Sequence, residues 1–308
     1  MGAEFLSSRA VRALLQQSMV SATPDPWVEM VSTLFQSDQD SETYKWLSET
    51  PALREWKGQR QVNDFVDYGI TVINTPYEAT IEVKKREMRR DKTGQLEIKV
   101  GDLARRAQTH WAKLICEMLE SNPNAYDGQS FFSASHSELD SGTQTNLGTS
   151  NITTANDPTA ADMKDAILDA VSSIVGFKDS AGEPVNEDAS QFMVLVPTNM
   201  LSATAAAVGS SVIVESGGAV TNTMAVMGNF GFRYAATARF TSDDVFYVFR
   251  TDGMVPAVIR QQESLPLITA KAEGSDYEHD FNAHQYGVSI DRAVAPGRWQ
   301  NAVQHTFT

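Results

Sequence analysis

Ser133, Ser135 and His136 are near neighbours in Ser133-Ala134-Ser135-His136, and two hydroxyls beside an imidazole are the residue types of a nucleophile and its general base. The chemistry of such a set would be acyl transfer, which makes a soluble α/β hydrolase one reading of the chain. A catalytic pair is made by spatial geometry and not by adjacency, so a structural histidine is the favoured reading. Asp276, Glu278 and Asp280 alternate beside His279 and His284. On a strand these carboxylates would share one face and offer a place for a cation. The segment lacks the glycine and distal glutamate of a calcium loop, and a solvated acidic edge is expected instead. Lys84-Lys85-Arg86, Arg89-Arg90 and Lys92 make a basic run interleaved with Glu82, Glu87 and Asp91. That mixture suits a salt-bridged contact to another subunit better than a DNA patch. No Gly-x-Ser-x-Gly elbow, phosphate-binding loop, His-Glu-x-x-His or Cys-x-x-Cys pair occurs, so neither an enzyme nor a cofactor or metal site is expected.

These groups must be positioned by a chain of 308 residues, 42% of them hydrophobic, which supplies a core for one large or two modest domains. The balance of 25 Lys+Arg against 39 Asp+Glu, a formal charge of -14, disfavours a long phosphate-neutralising surface. One cysteine, Cys116, excludes an intrachain disulfide framework and reads as a small packing residue. No basic-then-apolar leader pattern opens the chain and no run approaches a membrane span, so no membrane is expected as a partner.

Val11, Leu14, Leu15 and Met19 predict a short amphipathic helix, which needs a surface to lie on. From Pro24 to Trp56 the aromatic content is too high for a solvated linker and predicts a segment wrapping another surface. Gln59 to Val83 reads as a long hairpin and a strand. Leu103, Ala107, Trp111, Leu114, Ile115 and Met118 predict a helix capped by Asp102 and stopped at Asn122-Pro123, about 30 Å long at about 1.5 Å per residue. Glu117 and Glu120 oppose its dipole and call for a basic neighbour. Beyond it, Tyr126-Asp127-Gly128-Gln129-Ser130-Phe131-Phe132 has turn chemistry in Asp127-Gly128 and apolar anchors in Tyr126, Phe131 and Phe132. Ser137 to Asn156 is polar and predicts a loop or domain boundary. Thr159 and Asp162 resemble a capping box for a helix ended by Gly176, Phe192 to Val196 reads as a strand buried on both faces, and Pro197-Thr198 opens another helix. Three β-rich runs follow, Phe230 to Phe240, Val245 to Phe249 and Val255 to Ile259. The expected class is mixed α+β with an inserted domain.

The order Tyr44-Lys45-Trp46-Leu47, Pro51-Ala52-Leu53-Arg54-Glu55-Trp56-Lys57-Gly58-Gln59-Arg60, the amphipathic helix, Tyr126 to Phe132 and the late Tyr286-Gly287 resembles the Mu-type major head subunit family. The resemblance covers most of the chain and is strongest from Tyr44 to His136. Such proteins are similar in fold to the Hong Kong-type capsid proteins of tailed phages. The resemblance implies an N-terminal arm over 1–54, an E-loop hairpin and following strand over 55–96, and a peripheral domain with a spine helix over 97–156. An axial domain inserted over 157–240 and a return to the peripheral domain over 241–308 would complete it. The implied function is a major capsid protein self-assembling as pentamers and hexamers into an icosahedral head around double-stranded DNA, without sequence-specific contact.

Further implied partners are a scaffolding protein in trans, since no long helical segment precedes the arm, a portal protein and a decoration protein. The implied location is the virion, assembled in the host bacterial cytoplasm. Trp27, Tyr44, Trp46, Trp56, Arg60 and Tyr68 would line assembly interfaces, with Tyr126, Asp127, Gly128, Phe131 and Phe132 as a turn anchor. An encapsulin-like nanocompartment shell is the rival within the fold, and a tail or baseplate protein is a third.

Overall fold

The computed structural model describes residues 8–21, 24–45, 58, 69–90, 95–138, 141–215, 217–263 and 266–308. In chain order these form α1 (Ser8–Ser21), α2 (Pro26–Val31), β1 (Ser32–Gln36), β2 (Ser41–Tyr44), β3 (Ile70–Ile73), β4 (Thr75–Lys84), α3 (Lys85–Arg90) and α4 (Gln95–Ser121). There follow β5 (Leu147–Ser150), α5 (Ala160–Gly176), β6 (Gln191–Pro197), α6 (Leu201–Gly209), β7 (Val212–Glu215), β8 (Gly218–Thr221), α7 (Thr223–Val226) and β9 (Gly231–Thr237). The chain closes with β10 (Val245–Arg250), β11 (Val258–Gln262), β12 (Leu267–Lys271), α8 (Asp276–Phe281), β13 (Ala283–Pro296) and β14 (Ala302–Phe307). The class is mixed α+β.

The long helix α4 has 27 residues, about 40 Å at about 1.5 Å per residue. It begins seven residues before the expected cap at Asp102, because Leu96 and Val100 continue the apolar stripe of Leu103 and Ala104. Asp102 instead sits in the first half of the helix, paired with Arg105 at 2.7 Å and Arg106 at 2.9 Å. The N-terminal half of α4 packs with Val11, Leu15 and Met19 of α1 and with Tyr286, Val288 and Ile290 of β13, which gives the short first helix the partner it needs. Its C-terminal half buries Trp111, Ile115, Cys116 and Leu119 in a second, larger core. One helix thus braces two cores. Near its C-terminus Lys113 pairs with Glu117 at 3.6 Å, and the Glu120 carboxylate accepts from the amide and hydroxyl of Thr241.

The first sheet is organised by β13. β11 and β12 lie antiparallel along one edge of it, against Arg292–Pro296 and Gln285–Ser289, while β4 pairs along the other over Ala283–Arg292. β1 adds to β11 in parallel, so the stretch expected to wrap a foreign surface instead enters the subunit's own sheet. β2 pairs antiparallel with β3, Tyr44 opposite Ile70. The expected division between 54 and 55 lies outside the described residues.

The second sheet has the order β5-β14-β10-β6-β9. β6 is buried from Phe192 to Pro197 between the parallel β9 and the antiparallel β10, as its unbroken apolar run predicts. α5 carries the expected capping box: Thr159 accepts from the Asp162 amide while Asp162 accepts from the Thr159 amide. β10 and β14 belong to this sheet too, so a boundary at 240 passes through it.

Two sequence expectations are corrected here. The polar tract 137–156 is not a plain loop: β5 joins β14 in parallel, and Glu138 and Asn146 are buried. Its polar side chains satisfy internal backbone groups, Asn146 accepting from the Ser133 amide at 2.8 Å and donating to the Phe131 carbonyl at 2.7 Å. The Asp276–Asp280 segment is a helix and not a strand, because the Ser275 hydroxyl caps the Glu278 amide and Asn282 ends the turn at φ 49°.

Candidate functional site

α4 ends in a turn that polar side chains lock in place. Asn122 leaves the helix at φ 47°, and its side chain both accepts from the Phe132 amide at 2.8 Å and donates to the Phe132 carbonyl at 3.0 Å. Gly128 turns the chain at φ 80°, a conformation costly for any residue with a Cβ. Asp127 accepts from the Gln129 amide through Oδ1 and meets His136 Nδ1 through Oδ2 at 2.6 Å. Phe131 and Phe132 are buried at 0% and 2% exposure, and Tyr126 is buried beside them, so the residues read as a turn anchor come together in space.

His136 is not paired with a serine hydroxyl as a general base. Its ring is wholly buried, Nε2 lies 3.3 Å from the Phe131 carbonyl, and the Ser133 and Ser135 hydroxyls bond each other at 3.2 Å without touching it. Behind it, the Tyr126 hydroxyl donates to Glu138, and Trp299 Nε1 and Gln300 Nε2 converge on the same carboxylate at 3.3 and 3.4 Å. Burial, and then the Glu138 charge, push the Tyr126 phenol well above its usual range. The arrangement fastens the turn to the 299–301 segment.

The acidic cluster resolves in a similar way. Glu278 pairs with Lys85, accepts from the Gly274 amide at 2.7 Å and lies 3.3 Å from His284 Nε2. The Lys85 hydrogen bond foremost, then the amide and His284, hold its carboxyl down to about 2. Lys85 of the basic run is therefore paired within its own subunit, where the sequence pointed to a neighbour. Among the described residues, no group of three or more His, Cys, Asp or Glu is placed to hold a metal ion.

Of the aromatics expected at assembly interfaces, Trp27 and Tyr44 are buried within the subunit at 6% and 7% exposure. Tyr44 donates to Gln261 Oε1 at 2.8 Å and packs on Phe35. Trp46, Trp56, Arg60 and Tyr68 lie outside the described residues. Sequence reasoning missed the apolar groups that are exposed. On the β7–β8 hairpin Val212 and Val214 stand 56% and 68% exposed, opposite Thr221 and Ala219, while Ile213 between them is buried. The Val212-Ile213-Val214 run holds the signal, but a continuous apolar run reads as a buried strand.

A long helix braced on a β13-centred sheet and a second sheet entered from the middle of the chain define a Hong Kong-type phage capsid fold. A capsid subunit of the bacteriophage JBD30 procapsid superposes over 97% of this chain and 74% of its own with a TM-score of 0.54 at 20% identity. The mature capsid of bacteriophage PhiM1 does so over 92% of this chain and 87% of its own, with a TM-score of 0.58 at 10% identity. The model of the Mu-like prophage major head subunit gpT matches residues 8–164, and the chain belongs to that family. It is 29% identical to the major capsid protein of Escherichia phage Mu over 126 residues, a stretch that takes in 40% of this chain and 41% of that protein.

Proposed function

We propose that this chain is a major capsid protein that assembles with copies of itself into the icosahedral head of a tailed phage, around double-stranded DNA. The observation that carries the reading is that the head-subunit family match over 8–164 coincides with a capsid-type fold extending over nearly the whole chain. The acidic balance fits a shell that contains DNA without gripping it. α1, α4 and the β13-centred sheet form the peripheral unit in this reading. The E-loop hairpin and its following strand fall within 55–96, and the second sheet with α5, α6 and the β7–β8 hairpin is the axial unit. The uncharged outward face of the hairpin, Val212, Val214, Ala219 and Thr221, suits contact with its own copies around a symmetry axis.

Pentamers and hexamers, a scaffolding protein in trans, a portal, an outer decoration protein and assembly in the host bacterial cytoplasm before residence in the virion complete the proposal. Electron microscopy of the purified full chain, alone and with a candidate scaffold, tests it. Closed icosahedral particles support it, tubes or rings point to a tail or baseplate role, and small particles loaded with an enzyme point to a nanocompartment shell.

A further inference from the structure

Arg260 on β11 and Arg292 on β13 hold their guanidinium carbons 5.4 and 4.3 Å from the centre of one indole, that of Trp111 on α4. Both arginines are buried, at 5% and 1% exposure. Arg292 is partly provided for, donating to the Ala107 carbonyl at 2.9 Å and to Gln262 Oε1 at 3.2 Å. Arg260 has no hydrogen-bond or ion-pair partner among the described residues, and its Nε is sealed from solvent with no acceptor. The Nε of Arg292 is in the same position. Glu29 on α2 acts on Arg260 only through space, without forming an ion pair. Burial and the neighbouring Arg260 charge pull the Arg292 guanidinium down to about 10. Attraction to an indole face offsets only part of the cost of desolvating two like charges, so the subunit alone holds an unfavourable cationic pair that an anion would relieve.

We propose that Arg260, backed by Trp111 and Arg292, is a receptor for a carboxylate from a second copy of this chain, filled when subunits assemble. The second copy as donor rests on the shell reading; the oxyanion site does not. A planar guanidinium takes a carboxylate through paired hydrogen bonds, and the acceptor that the Arg260 Nε lacks is one such a group supplies. A copy of this chain offers carboxylates in excess, 39 acidic side chains against 25 basic ones. Leu34 of the edge strand β1, opposite Arg260 in the strand register, keeps 40% exposure, so the chain beside Arg260 lies near the subunit surface.

The test compares the full chain with Arg260→Met and Arg260→Lys, both as soluble subunit and as particles assembled with scaffold. The proposal predicts that Arg260→Met melts at or above the wild-type temperature as a subunit, because an unpaired buried charge has been removed. Its particle yield falls about tenfold, with Arg260→Lys recovering part of it. Normal yield and particle stability for Arg260→Met would overturn the proposal, as would a loss of subunit stability that accounts for the assembly defect. A second arm uses sodium sulfate against sodium chloride at equal ionic strength on the soluble subunit. Sulfate raises the melting temperature of the wild type by more than that of Arg260→Met if the site takes oxyanions, the rise in the variant measuring sulfate's general exclusion effect; equal rises overturn the site even where particles form. Sulfate stabilisation together with normal assembly of Arg260→Met would overturn the second copy as donor. Absence of any wild-type particle would sink the shell reading and leave the sulfate arm to decide the site.

Discussion

His136 lies flat on Trp299, ring centroids 4.0 Å apart and planes within 3° of parallel, with the Asp127 carboxylate on its Nδ1. The contact joins residues far apart in the chain and seals the turn that follows α4. His136→Ala removes the stack and leaves a buried carboxylate without its partner, and should cost roughly 3 kcal/mol of subunit stability. Asp127→Asn should cost about 1–3 kcal/mol. Guanidinium unfolding of the soluble subunit reads both, and an unchanged midpoint for His136→Ala would show that the stack contributes nothing.

Ile115 is wholly buried on α4, whereas Ile98 on the same helix is 71% exposed. Ile115→Ala should lose about 2–5 kcal/mol through lost burial and the cavity left behind. Ile98→Ala should stay within about 0.5 kcal/mol of wild type. Similar losses at both sites would contradict the placement of the helix.

Glu278 has a folded carboxyl depressed to about 2 from an ordinary value of 4.5. A depressed carboxyl binds protons less readily in the folded state, so its stabilisation is fully present above about pH 4.5 and is lost as pH falls towards about 2. Glu278→Gln should therefore flatten stability against pH within that acid window. A variant whose acid profile matches wild type would show that the Lys85 pair does not act in solution.

Gly148 on β5 packs against the ring of His305, and a Cβ at that position would stand 2.3 Å from His305 Nδ1. His305 is buried and held by Ser150 at 2.9 Å, so the ring has little room to retreat. Gly148→Ala should lower stability by about 1–3 kcal/mol, read by thermal melting. Full wild-type stability would mean that β5 can shift away from β14.

Val214 on the hairpin offers its side chain to solvent, while Glu215 beside it anchors the strand to Lys164 of α5 at 3.0 Å. Val214→Lys should leave subunit stability within about 0.5 kcal/mol and abolish closed particles, since like charges would meet around an axis. Normal particles from this variant would remove the hairpin from the axial contact.

Local patterns were readable where one physical signal dominated. Thr159 with Asp162 marks a helix start because the two side chains satisfy each other's backbone amides, and Phe192 to Val196 marks a central strand because both its faces are apolar. Asp102 misled because an acidic residue mid-helix, paired forward with Arg105 and Arg106, resembles a cap in sequence. Asp276 to Asp280 misled because alternate carboxylates suit a strand face equally well, and the cap that decides for helix comes from Ser275 outside the alternation. The seating of β1 beside β11 and the meeting of Arg260 with Arg292 join residues far apart in the chain, and no local pattern carries them. The core partners of Trp27 and Tyr44 likewise lie elsewhere in the sequence.

The central claim is that copies of this chain close into a shell, and electron microscopy with mass determination of the full chain expressed with a scaffold tests it most directly. The account predicts closed icosahedral particles of a diameter that accommodates phage DNA. A subunit that stays monomeric under every assembly condition would contradict it.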